Sequence, residues 1–445
     1  MTAYWCEWAW LSGDSATAAV LVRVDGDRIA SVHSGAPPPA DATVLSGLTL
    51  PGLANVHSHA FHRALRGRTQ REPGGRPGSF WTWRERMYAL AGRLTPETYL
   101  PLATAALAEM ALAGVTALGE FHYLHHGPDG RPYADPNEMG RVLLAAAAEA
   151  GVRITLLDTC YLHGGVDRPA EGVQRRFSDG SAGAWAERVE GLAGGPSVRV
   201  GAAVHSVRAV DPASIAAVAA YAAGRDMPCH VHLSEQPAEN ADCLARYGTT
   251  PTALLDRAGA LTARTTAVHA THLSAGDRAL LAASGASVCL CPTTERDLAD
   301  GIGPAAALRD AGVALSLGSD SHAVVDLLEE ARAVELDERL ATGARGHFGA
   351  AELLRAATEA GARALGWHAG RIAPGRLADL STVDIGGVRL AGAGPEHLLD
   401  AVVFAGTAAD VTHTVLGGEP VVVGGGHRRV GDVAAALRAA IAAVS

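Results

Sequence analysis

The 445-residue chain contains no lysine, and all 37 of its basic residues are arginine. That absence excludes Schiff-base catalysis, pyridoxal phosphate attachment and a Walker-type phosphate lysine. It also excludes a carboxylated lysine bridging two metals. Cysteine is scarce: six residues, at 6, 160, 229, 243, 289 and 291, fall mostly within apolar runs. They make no disulfide framework and read as reduced thiols of a cytoplasmic protein. Cys289 and Cys291 alternate on one strand face and read as buried strand residues rather than metal ligands. Long apolar runs are missing too. The Ala-rich stretches are broken by Arg, Glu or Gly well short of the ~20 residues that a membrane span needs. The opening "MTAYWCEWAWLSG" has no basic segment and carries Glu7, which argues against a signal peptide. Nor is there an excess of positive charge. The net charge of −10 argues against nucleic acid or an anionic membrane as partner.

About half of the residues are hydrophobic and a fifth are charged, as in ordinary globular proteins. The length suits one large α/β domain with a smaller one. Residues 17–35 alternate around Asp25-Gly26, a hairpin signal. Residues 374–425 read as short strands with Gly-rich turns. Between these β-rich ends, eight short apolar runs alternate with Ala/Leu-rich helical stretches. They are 53–59, 115–122, 152–160, 198–205, 228–235, 265–271, 286–292 and 313–320. Eight strand–helix units predict a TIM-like (β/α)8 barrel. The segment 69–79, "TQREPGGRPGS", reads as a mobile loop.

Active sites of such barrels lie at the C-terminal ends of the strands. The first run ends in His57 and His59, with His62 close behind; the second in Glu120, His122 and Tyr123. The fourth ends in His205, followed by Arg208; the fifth carries His232 and Glu235, the sixth His269, and the eighth Asp320 and His322. So many titratable groups predict one site at one mouth. Residues i and i+2 of a strand share a face, so His57 and His59 can reach one ion. His230 and His232 also share a face, and His232 is nearer the mouth. Three neutral imidazoles and one carboxylate suit a zinc-like divalent ion with an open position for water. Asp320 in "GSDSH" is the natural carboxylate. Without lysine, one metal is favoured over two. His62 is left over.

The motifs "PGLANVHSHAFHRALRG", "HVHLSEQ", "VHATHLS", "LGSDSH" and "GRIAPGRLADL" resemble the amidohydrolase superfamily over nearly the whole chain. The loops "FWTWRERMY", "EFHYLHH", "HSVRAV" and "CPTTERDLADG" resemble the formimidoylglutamate deiminase family within it. The resemblance implies a barrel over 51–370 and a smaller β-sandwich built from both termini, 1–50 and 371–445, with a terminal helix. It implies hydrolysis of N-formimidoyl-L-glutamate, a dicarboxylate amidine, to N-formyl-L-glutamate and ammonia, in bacterial histidine degradation. It further implies a homodimer and one zinc ion held by His57, His59, His232 and Asp320. Asp320 doubles as a catalytic group that takes the water proton. Glu235 matches the proton shuttle and His269 the histidine at the tetrahedral centre. Arg84, Tyr123, His205 and Arg208 match substrate-binding positions. His62 stands at another, where relatives often carry Gln. Two arginines suit two carboxylates, because the planar fork of Arg matches them. A purine, pyrimidine or triazine deaminase of the same superfamily stays open as an alternative, as does a non-catalytic barrel scaffold.

Overall fold

The computed structural model describes residues 2–71 and 77–445. The centre of the expected mobile loop, 72–76, lies outside the described residues.

Eight parallel strands form the barrel: β1 (Leu53–Ser58), β2 (Val115–His122), β3 (Arg153–Cys160), β4 (Val198–Val204), β5 (Cys229–Leu233), β6 (Thr265–His269), β7 (Ser287–Leu290) and β8 (Leu315–Leu317). Each coincides with one of the eight apolar runs. Every residue of β1, β2 and β3 is buried, because helices cover the outside while side chains fill the interior. The ring closes where the chain leaves β8. Asp320 N donates to His57 O at 3.0 Å and His59 N donates to Asp320 O at 3.2 Å. Gly318 permits this closure. A Cβ there would sit 2.8 Å from His57 Cβ and 2.9 Å from His57 O.

Several of the helices between strands end on a glycine in the left-handed conformation, as at Gly151, Gly248, Gly285 and Gly343. Some helix starts are fixed by side chains: Asp211 accepts from Ala213 N and Ser214 N.

Both termini build a second, mixed eight-stranded sheet. Thr43–Pro51 pairs in parallel with Thr2–Ala9 on one side and antiparallel with Leu380–Val383 on the other, which sews the two chain ends together. Thr17–Asp25 and Arg28–Ser34 form the expected hairpin. A separate apolar core of Tyr4, Val22, Ile29, Leu45, Leu380 and Val415 holds this sheet. Buried Arg153 of β3 donates to both oxygens of Asp379, at 2.8 and 3.1 Å, and so ties barrel to sheet. One expectation is corrected here. Residues 374–425 are not all strand: Leu398–Ala405 is a helix. Its C-terminal carbonyls are taken by Arg332, which donates to Gly406 O at 2.8 Å. Among the described residues, no helix is long and apolar enough to cross a membrane.

Candidate active site

Strand alternation sends His57 and His59 into the barrel and Ser58 outward. Inside, His57 Nε2 lies 3.0 Å from His232 Nε2 and 3.3 Å from Asp320 Oδ1, which is also 3.3 Å from His59 Nε2. A tetrahedral ion with bonds of about 2.0–2.1 Å would set neighbouring ligands about 3.3 Å apart, so the His57–Asp320, His59–Asp320 and His57–His232 spacings suit ligands of one divalent ion. Their outer atoms agree. His59 Nδ1 donates to Phe121 O at 3.0 Å and His232 Nδ1 to His205 O at 2.9 Å, which leaves each Nε2 as a lone pair facing the centre. Burial pushes the His59 imidazolium down to about 3, with His57 adding to the effect. Burial also lowers His57 and His232. Neutral imidazole is the form that binds metal. Burial alone would raise Asp320, but the bond from His57 and the other imidazoles hold it well below the usual carboxylate range.

The cluster is held from outside. Glu120 accepts from Ser58 Oγ and Ala60 N, both at 2.7 Å, and fixes the backbone on either side of His59. Asn55 accepts from Ser319 N at 2.9 Å and donates to Ser319 Oγ at 2.7 Å, locking the residue before Asp320. Five non-glycine residues around the centre carry positive φ: Ser234, His269, Ala270, Asp320 and His322. That is half of the ten such residues in the described chain, a concentration of strain typical of functional sites.

His269 stands across from the cluster, its Nε2 3.8 Å from Asp320 Oδ2 and 3.9 Å from Glu235 Oε1. Glu295 Oε1 accepts from Cys291 N at 2.9 Å and lies 3.3 Å from His269 Nδ1, which sets the ring. Burial disfavours charge on His269, yet Glu235, Glu295 and Asp320 together push its pKa up to about 10.

Above the cluster opens a cavity of about 410 Å³. His62, Arg84, Tyr123, His205 and Arg208, the residues expected to bind substrate, all line it, as do His59, His232, Glu235, His269 and Asp320. His57 lies beneath, fully buried. His62 Nε2 is 3.3 Å from the Tyr123 hydroxyl. Arg84 projects from the helix Phe80–Ala91 and stacks on Trp81, 4.5 Å from the ring centroid. Arg84 has no carboxylate partner among the described residues. Arg208 does: Glu235 lies at 3.3 Å and Glu239 at 3.2 Å.

Three strand-end residues expected at the mouth lie elsewhere. Phe121 of β2 and Tyr123 just beyond its end point inward, so Glu120 and His122 point outward. Phe121 packs against His232, 4.4 Å between ring centroids. His122 joins a second buried cluster with His125 and Asp158. Arg188 already donates to both oxygens of Asp158 at 2.8 Å, and Trp185 donates to one at 3.0 Å. A guanidinium thus occupies the place a divalent ion would need, and this cluster is a structural clasp. His322 also turns away from the mouth, its Nε2 2.9 Å from Ser58 Oγ. His230 is likewise outside the site, 3.2 Å from Ala364 O. The six cysteines are buried free thiols. Nothing in the spacing of the sequence marks Glu239 or Glu295, although Glu295 lies within the loop "CPTTERDLADG".

A ring of inward histidines closed by an aspartate, at the C-terminal mouth of a parallel barrel beside a mixed sheet, defines a class of hydrolase. Residues 48–421 match the amidohydrolase family, and the chain belongs to that family. It is an enzyme that hydrolyses C–N bonds. A formimidoylglutamate deiminase of Pseudomonas aeruginosa is 42% identical over 397 residues, covering 86% of each chain. A 5-methylthioadenosine/S-adenosylhomocysteine deaminase of Natronomonas pharaonis is 31% identical, covering 91% of this chain and 88% of its own. Among solved structures, an amidohydrolase from Brucella melitensis superposes with a TM-score of 0.91 at 34% identity, covering both chains completely. An adenosine deaminase from Xanthomonas campestris, solved with bound zinc, gives 0.83 at 27% identity, covering 99% of this chain and 97% of its own.

Proposed function

We propose that the protein is a zinc-dependent formimidoylglutamate deiminase. It would convert N-formimidoyl-L-glutamate and water to N-formyl-L-glutamate and ammonia, a step of histidine degradation. The observation that carries this reading is Arg84. A guanidinium without a carboxylate partner among the described residues faces the cavity that also holds the His/Asp cluster. A neutral ring gains nothing from that charge, whereas a carboxylate gains a paired, charge-assisted bond. The relative at 42% identity supports the same substrate class.

In this reading His57, His59, His232 and Asp320 hold the ion. When bound, zinc supplies Lewis acidity and lowers the pKa of water toward about 7. The chain's own groups do the rest. Asp320 accepts the proton of the attacking water. His269, its ring set by Glu295 and its Nε2 facing Asp320 and Glu235, donates a hydrogen bond to the oxygen added at the amidine carbon. Glu235, within 3.9 Å of His269, passes the proton released by the added oxygen to the departing nitrogen, so that ammonia rather than an amide anion leaves. Phe121 and the aromatic wall around Trp83 and Tyr123 exclude bulk water from these transfers.

The test is ammonia release from a panel of N-formimidoyl-L-glutamate, N-formimidoyl-L-aspartate, guanine, cytosine and 5-methylthioadenosine. Formimidoylglutamate should have the highest kcat/KM. A preference for any of the ring amines would replace this reading with a nucleobase or nucleoside deaminase.

A further inference from the structure

Arg208 sits between two carboxylates. Its Nη2 donates to Glu235 Oε2 at 3.3 Å, and its Nε lies 3.2 Å from Glu239 Oε2. The second contact is an ion pair without hydrogen-bond alignment. Arg208 Nε and Glu239 Oε2 are both buried with no hydrogen-bond partner. Glu239 itself is completely buried, and its other oxygen accepts from Ser234 N at 3.1 Å. That backbone immediately precedes Glu235 and runs through positive φ at Ser234. Glu235 also reaches the other way, toward His269. The group that would move protons is therefore bonded, through one oxygen, to the group that would read the substrate's carboxylate.

While Glu235 Oε2 occupies Nη2, that edge of the guanidinium is closed to substrate, and Glu235 has only Oε1, the oxygen facing His269, for proton transfer. Building on the formimidoylglutamate reading, we propose that the substrate's carboxylate displaces Glu235 from Arg208, and that Glu239 is the positioning residue that keeps the guanidinium in place during the exchange. The exchange is balanced. One carboxylate replaces another at Nη2, so Arg208 stays neutralised. The released Glu235 gains a new cationic partner in the protonated amidine. The Nε–Glu239 contact keeps a counter-charge beside the guanidinium while one carboxylate leaves Nη2 and the other arrives. Recognition is thereby coupled to chemistry: an amidine that lacks the carboxylate leaves Glu235 on Arg208 and turns over slowly even when bound.

The coupling makes an inverted prediction. In the double variant Arg208→Met/Glu239→Gln, one arginine and two glutamates become one glutamate, so the formal charge of the trio is unchanged while the restraint on Glu235 is gone. The amide that replaces the Glu239 carboxylate retains an oxygen for Ser234 N. Activity on N-propylformamidine, an amidine without a carboxylate, should rise by at least about threefold in kcat/KM over the unaltered protein. Activity on N-formimidoyl-L-glutamate should fall by more than about tenfold. Unchanged or lower activity on N-propylformamidine, in a variant with normal metal content and melting temperature, overturns the proposal. Should the variant not fold, a crystal structure of the unaltered protein with N-formyl-L-glutamate decides. The Glu235–Arg208 contact should open beyond about 4 Å, too far for a hydrogen bond, with the product's carboxylate in its place. Retention of that contact with product bound overturns the proposal. Failure of the unaltered protein on formimidoylglutamate refutes the substrate assignment. Normal turnover there with no gain on N-propylformamidine refutes the exchange alone.

Discussion

Replacing Arg84 by methionine isolates the electrostatic part of substrate recognition. The Arg84 guanidinium lies 4.5 Å from the Trp81 ring centroid and 5.4 Å from that of Tyr88. Methionine keeps the apolar stem and removes only the charge. The lost stacking costs the fold about 0.5–1 kcal/mol, because the side chain is partly exposed. No carboxylate is orphaned by the change among the described residues, so no larger penalty follows. The substrate loses more. A hydrogen bond to a charged group contributes about 1.5–3 kcal/mol, which is about 10–150-fold in kcat/KM at 1.36 kcal/mol per decade. The carboxylate is remote from the reacting carbon and makes the same bond in ground and transition states. The loss therefore belongs in KM, with kcat within about threefold. Steady-state ammonia release at varied N-formimidoyl-L-glutamate measures both constants. A kcat/KM within about twofold of the unaltered protein would refute the assignment of Arg84 as an anion-binding group, and a loss confined to kcat would show that it acts in the chemistry instead.

Other outcomes follow from the same geometry. Glu235→Gln should retain metal and melting temperature but lose about 10²–10⁴-fold in turnover, the usual effect of removing one acid–base group; near-normal turnover would exclude the shuttle role. Elemental analysis should find one divalent ion per chain, and His57→Ala or Asp320→Ala should remove both ion and activity. Two equivalents, both needed for activity, would contradict the single four-residue site. Asp158 is held below the usual carboxylate range, because Arg188 and His125 outweigh a burial effect that would raise it. A depressed folded-state pKa stabilises the fold above the ordinary carboxylate pKa of about 4, and that contribution fades as pH falls through this value and below. Asp158→Asn should accordingly cost about 3–5 kcal/mol at neutral pH, as breaking a buried pair does, and the gap should narrow in urea unfolding below about pH 4. A gap constant from pH 7 to pH 3.5 would count against this explanation.

The barrel was legible because most strand residues are buried and read as short, largely apolar runs, while glycines punctuate the helices. The helix at Leu398–Ala405 was missed because it is two turns long. An apolar stretch of that length carries no period that separates helix from strand. At the mouth, residue type and strand-end position identified His57, His59, His232, His269 and Asp320 as candidates, but could not say which way each pointed. Glu120 and His122 lie one residue out of phase with Phe121 and Tyr123, and a one-residue difference in register exchanges the faces of a strand. Glu239 and Glu295 were invisible for another reason. Their charged or ring partners, Arg208 and His269, come from other strand ends, and only the folded geometry aligns them.

The central claim is the cleavage of a particular bond. An N-formimidoyl amino acid has two C–N bonds at its amidine carbon, and a proton delivered by Glu235 to the terminal nitrogen breaks only one of them. Proton NMR of N-formimidoyl-L-glutamate incubated with the zinc-loaded protein reads the outcome directly. The account predicts N-formyl-L-glutamate, with its formyl proton appearing in step with one equivalent of ammonia. Formamide and free glutamate, or an unchanged spectrum with fully metallated protein, would contradict it.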